Sequence, residues 1–150
     1  MTNRIFTIIS MICFCLLIGC SGDSDPNLTN LSNDLNQKMV EGRWEITLFS
    51  DSGKDETNHF SGYQFVFTAD KLVSATKASS VINGSWSIVK DQSSDDSVED
   101  LHFNIVFSAP DSFEDLTEDW QFISQTDQKI ELIHISGGNG GTDYLTFQKL

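Results

Sequence analysis

The chain has 150 residues, with 22 acidic against 9 basic side chains and a formal net charge of −13 at pH 7. This length predicts one domain that buries a sizeable core. The acidic balance disfavours nucleic acid and anionic membrane surfaces as partners, because phosphate binding needs basic patches.

The first twenty residues have the pattern of a cleaved leader. Arg4 is their only charge, and the apolar run Ile5 to Gly19 has the length of a signal-peptide core, short of the ~20 residues that cross a bilayer. The run ends in Leu17-Ile18-Gly19-Cys20, which resembles the lipobox of bacterial lipoproteins. The resemblance implies that residues 1–19 are removed and that Cys20 is lipidated. The alternative is a secretory signal with an incidental cysteine.

Cysteine positions support the lipoprotein interpretation. Cys13 and Cys15 lie in the leader, so Cys20 is the last cysteine of the processed chain. No thiol then remains for a disulfide, for catalysis or for cysteine-ligated zinc. Ser21 stands where Asp would retain a Gram-negative lipoprotein in the inner membrane. We therefore expect a lipid anchor in the outer membrane, on either of its faces.

Behind Cys20 the chain is polar before it becomes strand-like. Ser21 to Leu35 is rich in Ser, Asn and Asp and is predicted to be mostly a flexible tether. Asn33 to Glu41 is predicted to form a short helix. The expected organisation is a signal peptide over residues 1–19, the lipidated cysteine and tether over 20–40, and a β-barrel domain over 41–150.

From Arg43 onward, strand-like runs alternate with turn residues. Several runs alternate apolar and polar residues, which is typical of a sheet with one buried face. Short strands at this spacing predict an antiparallel sandwich or barrel, and an up-and-down barrel is favoured because closure removes exposed edges. The eight runs are Arg43–Phe49, Ser61–Thr68, Lys71–Thr76, Val81–Lys90, Leu101–Ser108, Asp119–Gln125, Lys129–Ser136 and Thr142–Lys149.

The connections read as turns and short loops. Ala69-Asp70 is short enough for a hairpin. Pro110 to Glu118 can hold one helical turn, with Asp111 as N-cap and with Phe113 and Leu116 on one face. The stretch 91–100 is a longer acidic loop, and the glycine-rich stretch 137–141 is a hairpin loop.

Three short motifs resemble a known family. They are Gly42-Arg43-Trp44, Gly84-Ser85-Trp86-Ser87 and Leu145-Thr146-Phe147. Together with the order of elements they resemble the small lipocalin-like lipoproteins of bacteria. The resemblance covers about residues 41–150. It implies an eight-stranded antiparallel up-and-down barrel with a short N-terminal helix, in which Trp44 closes the barrel floor.

An eight-stranded barrel can be filled by its own side chains or can hold one small ligand. We expect the inward residues to be Trp44, Phe65, Phe67, Trp86, Phe103, Phe107, Trp120 and Phe147. So many rings in short strands favour a filled core, and an apolar cavity is the alternative. Such a cavity would suit a lipid or another small hydrophobic molecule. Its predicted lining is Phe65, Phe67, Trp86, Phe103 and Trp120.

No pattern in the sequence predicts a catalytic or metal site. His59, His102 and His134 lack the close spacing of zinc ligands. The acidic clusters lack the calcium-loop pattern, and no nucleophile-elbow motif is present. We therefore expect a monomeric, membrane-anchored protein without enzymatic activity, metal or cofactor. Its predicted role is to bind or carry a small hydrophobic ligand, and the alternative is a filled barrel that contacts a protein or glycan.

Overall fold

The structure is a computed structural model that describes residues 26–90, 101–136 and 140–150. The leader with Cys20, the acidic stretch 91–100 and the middle of the glycine loop lie outside these ranges. The described elements are α1 (Pro26–Val40), β1 (Trp44–Asp51), β2 (Lys54–Asp55), a 3₁₀ turn (Thr57–Phe60), β3 (Gln64–Phe67), β4 (Leu72–Lys77), β5 (Ser80–Lys90), β6 (Leu101–Val106), α2 (Asp111–Glu114), β7 (Asp119–Gln125), β8 (Lys129–Ile135) and β9 (Thr142–Lys149).

Eight strands close into one antiparallel barrel. Each of β3 to β8 pairs with the next strand along the chain, and β1 closes the ring by pairing with both β3 and β9. This confirms the predicted eight-stranded antiparallel barrel with an N-terminal helix. The two-residue strand β2 was not predicted. It forms a hairpin with the end of β1 that is too short and too polar to leave an alternating pattern.

Helix α1 begins at Pro26 rather than at Asn33, so the flexible tether predicted for Ser21–Leu35 is wrong from Pro26 onward. Leu28, Leu35 and Met39 recur at helical spacing and are buried in the core. Their burial stabilises a segment whose Asn, Ser and Thr residues are weak helix formers. Tertiary packing thus outweighs local propensity here.

The inner face of the barrel carries all eight predicted inward residues, each at most 3 % exposed. Strand β8, whose inward face the sequence left ambiguous, turns Ile130 and Leu132 inward and leaves Ile135 63 % exposed. Strand β1 departs from simple alternation. A bulge between Ile46 and Leu48 shifts its register against β9. Simple alternation from Trp44 and Ile46 predicts an inward Leu48, but the bulge leaves Leu48 39 % exposed and buries Phe49 in its place.

Helix α1 covers one end of the barrel, called here the α1 end. The Trp44 indole Nε1 donates to the Met39 carbonyl at 3.0 Å, and the Lys38 Nζ donates to the Gln125 Oε1 at 2.7 Å. These contacts join the helix to the start of β1 and to the β7–β8 turn. The expectation that Trp44 closes the floor of the barrel is met, with α1 lying directly over it.

The residues around Trp44 explain the Gly-x-Trp motif. Gly42 has φ +90°, a left-handed conformation that favours glycine. A Cβ at Gly42 would lie 2.9 Å from the Lys149 Cε. The Lys149 Nζ lies 5.6 Å from the centre of the Trp44 ring, within the range of a cation–π contact. Gly42 therefore makes room for the lysine that covers the floor tryptophan.

The opposite end of the barrel, called here the far end, is closed by α2 and the 3₁₀ turn. Phe60, Phe113 and Leu116 are each at most 1 % exposed. The predicted helical turn with Phe113 and Leu116 inward is confirmed. Its predicted N-cap is wrong, because Pro110 occupies that position and no side chain bonds the turn there.

Candidate functional site

The five residues predicted to line a ligand cavity all lie in the packed core. Phe65, Phe67, Trp86, Phe103 and Trp120 are between 0 and 3 % exposed. The Phe67 ring centre lies 5.5 Å from that of Trp86 and 6.0 Å from that of Phe103, both within the range of favourable aromatic contacts. Four of the five thus belong to a continuous group of rings.

Phe147 completes this group from the last strand. Its ring centre lies 5.6 Å from those of both Phe65 and Phe67 and 6.2 Å from that of Phe103. Trp120 packs against Phe49, with ring centres 6.4 Å apart, and donates its indole N–H to the Leu116 carbonyl at 3.0 Å. It is also paired directly with Phe103 across β6 and β7, so all five predicted lining residues lie in one core.

A second group of rings fills the far end. The Phe113 ring lies 5.2 Å from Phe60, 5.1 Å from Tyr63 and 5.1 Å from Phe107, measured between ring centres. These rings occupy the position through which a ligand would enter from that end. The backbone N–H of Phe107 is bonded by Thr117 Oγ1 at 3.0 Å, which ties the β6–β7 connection to the strand it follows.

Four clefts among the described residues open on the surface and have volumes of about 180 to 260 Å³. These volumes are below the roughly 300 Å³ at the low end of ligand pockets. The roomiest of the four, about 260 Å³, lies between the C-terminal half of α1 and the β3–β4 turn.

Lys71 borders this cleft and is held on two sides. Its Nζ donates to the Asn36 Oδ1 of α1 and lies 4.2 Å from the centre of the Trp86 ring. Burial lowers the pKa of Lys71, because removal from water disfavours the ammonium form. Lys71 also has φ +67°, which is uncommon for a residue with a side chain. The contacts of the Lys71 amine with Asn36 and Trp86 join α1 to the barrel wall, and no local sequence pattern predicts them.

The three histidines lie near carboxylates, and both His102 and His134 contact Asp119. His102 Nδ1 is 2.9 Å from Asp119 Oδ1, and His134 Nε2 is 3.4 Å from Glu118 Oε2. His59 Nδ1 is 3.5 Å from Glu56 Oε2 at the far end. Within residues 26–90, 101–136 and 140–150, no group of three or more His, Cys, Asp or Glu residues has the geometry to hold a metal ion.

The outer face of β1, β8 and β9 carries an apolar surface, called here the outer patch. Ile133 and Tyr144 are directly paired across β8 and β9, and Ile135 lies two residues further along β8. Leu48 pairs with Thr146, next to Tyr144 along the outer face of β9. Ile135 is 63 % exposed, and Leu48 and Tyr144 are each 39 % exposed. Contiguous apolar surface of this kind marks interaction sites more often than isolated residues do.

The lipid attachment site predicted at Cys20 lies outside the described residues, as does the acidic cluster of stretch 91–100. Among the residues that are described, no helix is long and apolar enough to span a membrane. A second acidic cluster comprises Asp111, Glu114, Asp115, Glu118 and Asp119, and the first three of these are exposed on or beside α2.

No protein-family model matches the chain. No curated protein matches it either. Among solved structures, a DUF4847 family protein from Bacteroides vulgatus ATCC 8482 resembles it with a TM-score of 0.47 and 15 % sequence identity. The resemblance covers 76 % of this chain and 96 % of that one.

Proposed function

We propose that the chain is a lipid-anchored protein of the bacterial cell envelope whose barrel is a non-catalytic binding module for a protein or glycan partner. The packing of Phe65, Phe67, Trp86, Phe103 and Phe147 against one another carries this proposal. Side chains fill the space that a carried ligand would need. We therefore expect a partner to bind the outer surface of the barrel.

The anchor is tested by metabolic labelling with palmitate. Cys20→Ala is expected to abolish labelling. Cys15→Ala, in the leader, is the matched control and should leave labelling unchanged. Labelling that persists in Cys20→Ala would overturn the anchor, because no other cysteine lies beyond residue 20.

The filled barrel is tested on purified protein. Native mass spectrometry and organic extraction are expected to find no lipid bound within the barrel. One tightly bound lipid per chain, beyond the acyl groups on Cys20, would overturn the binding-module proposal. It would support the second candidate, a carrier of a small hydrophobic molecule, for which an eight-stranded barrel is a compatible fold.

The outer patch is the surface on which we expect partner binding. A photo-crosslinking residue at Ile135 is expected to give a discrete adduct in intact cells. The same residue at Ser79, which is exposed in the β4–β5 turn, is the control and should give no such adduct. Equal crosslinking yields at the two positions would indicate random encounters. That result would refute partner binding at the outer patch.

A further inference from the structure

The start of α1 fixes how far the barrel can move from a lipid anchor. Six peptide steps separate Cys20 from Pro26, where the helix begins. A fully extended chain covers at most about 3.3–3.6 Å per residue, so this connection spans no more than roughly 20 Å. Helix α1 is 15 residues long, about 22 Å at 1.5 Å per residue, so the connection is no longer than the helix itself.

Helix α1 cannot swing away to lengthen this connection. Leu28 is 5 % exposed and Leu35 and Met39 are fully buried, so both halves of the helix pack on the barrel. Lys38 and Asn36 add bonds to the β7–β8 turn and to Lys71. Because α1 is fixed to the barrel, the limit on the distance between Cys20 and Pro26 also limits how far the whole α1 end can lie from Cys20.

The helix residues nearest the anchor carry no charge, and Lys90 lines the cleft beside Thr29, Ser32 and Asn33. The first eight residues of α1 (residues 26–33) contain no Asp, Glu, Lys or Arg, and the first charge of the helix is Asp34. Thr29, Asn30 and Asn33 are exposed there and offer hydroxyl and amide groups. Such a face can meet polar lipid headgroups without removing an ion from water.

We infer that the exposed face of residues 27–33 of α1 rests at the surface of the phospholipid bilayer that holds Cys20. The inference rests on the proposed lipid anchor. It deepens that proposal by assigning the α1 end to the membrane and by leaving the outer patch and the far end accessible to a partner. The short connection, the fixed helix and the uncharged face support it together.

The test uses single cysteines in the lipidated protein. Lipidation of Cys20 consumes the last thiol of the processed chain, so a new cysteine is labelled alone. Thr29→Cys places a fluorophore on the inferred membrane face. Ser79→Cys, exposed in the β4–β5 turn at the far end, is the control. The labelled proteins are purified from membranes, reconstituted into phosphatidylcholine vesicles and quenched with a nitroxide attached to the lipid headgroup.

Quenching at position 29 is expected to be several-fold stronger than at position 79. Inserting fifteen Gly and Ser residues between Asp25 and Pro26 should reduce it toward the value at position 79, because a longer connection lets the barrel diffuse away. Equal quenching at both positions without the insertion would overturn the inference. Intact mass of the same samples reports acylation separately, so an unacylated protein would refute the anchor, whereas equal quenching of an acylated protein refutes the placement.

Discussion

Replacing Phe113 with alanine removes the ring at the centre of the far end. Phe113 is 1 % exposed. Its ring centre lies 5.1 to 6.1 Å from the rings of Phe60, Tyr63, Phe65 and Phe107. If these rings close the barrel, then the substitution leaves a cavity among them that the surrounding strands can fill only in part.

The expected loss in free energy of unfolding is about 3–5 kcal/mol, the usual range for a buried Phe→Ala change. The upper half of that range is expected, because each aromatic pair adds about 0.5–1.5 kcal/mol beyond its buried area. With a urea dependence of about 2 kcal/mol per M, the unfolding midpoint should fall by roughly 2–2.5 M.

The assay is urea unfolding followed by tryptophan fluorescence, on a chain that begins at Ser21 and so lacks the lipid. Glu114→Ala, exposed on the same helical turn, is the control and should lie within about 0.5 kcal/mol of the parent. A dye that fluoresces in apolar surroundings should bind Phe113→Ala more than either. Equal midpoints for Phe113→Ala and Glu114→Ala would refute a closed far end and would reopen the barrel to a ligand.

Three further outcomes are expected. Gly84→Ala should destabilise the chain by about 1–3 kcal/mol in urea, because its Cβ would lie 2.3 Å from the Val106 carbonyl oxygen and 2.7 Å from the Phe107 ring; an unchanged midpoint would contradict that contact. Trp44→Phe should lower the free energy of unfolding by about 1–3 kcal/mol, because it leaves the Met39 carbonyl without its 3.0 Å donor. A decrease no larger than that of the exposed control Arg43→Gln would contradict the hydrogen bond. The hydrogen bonds from Lys129 and Ser124 hold the pKa of Glu131 below its ordinary 4.5. Since the folded pKa is the lower one, this pair stabilises the fold above pH 4.5 and the stabilisation is lost as pH falls through the folded pKa. NMR titration should therefore find a higher pKa for Glu131 in Lys129→Met than in the parent. An equal pKa in the two proteins would exclude the interaction between Lys129 and Glu131.

The barrel was predictable because its signals are local. Alternating apolar residues mark each strand, and large rings such as Phe65 and Phe103 point to one shared core. The bulge in β1 was not predictable. It depends on how β1 pairs with β9, about a hundred residues away in sequence, and it exchanges Leu48 for Phe49 on the inner face.

The helix start and the Lys71 cleft were missed for a related reason. The first turns of α1 have a polar composition that favours coil, and only packing of Leu28 and Leu35 against the barrel makes them helical. Lys71 and Asn36 are 35 residues apart in sequence and meet only when α1 covers the barrel end. The sequence around Lys71 or Asn36 does not predict this contact, because a polar contact between elements that are distant in sequence leaves no periodic pattern.

The closed hydrogen-bond ring decides how a partner can be recognised. A partner peptide often binds by adding a strand to an open sheet, but here β9 returns to β1. The other side of β1 is also occupied, since Phe49 accepts from the Glu56 N–H at 2.9 Å and donates to Thr57 Oγ1 at 2.8 Å. In the described part of the barrel, a partner therefore has to contact side chains rather than add a strand to the sheet. If the proposed anchor crowds copies of the chain on a membrane, the same closure protects them, because the described strands offer neighbouring copies no free edge on which to begin aggregation.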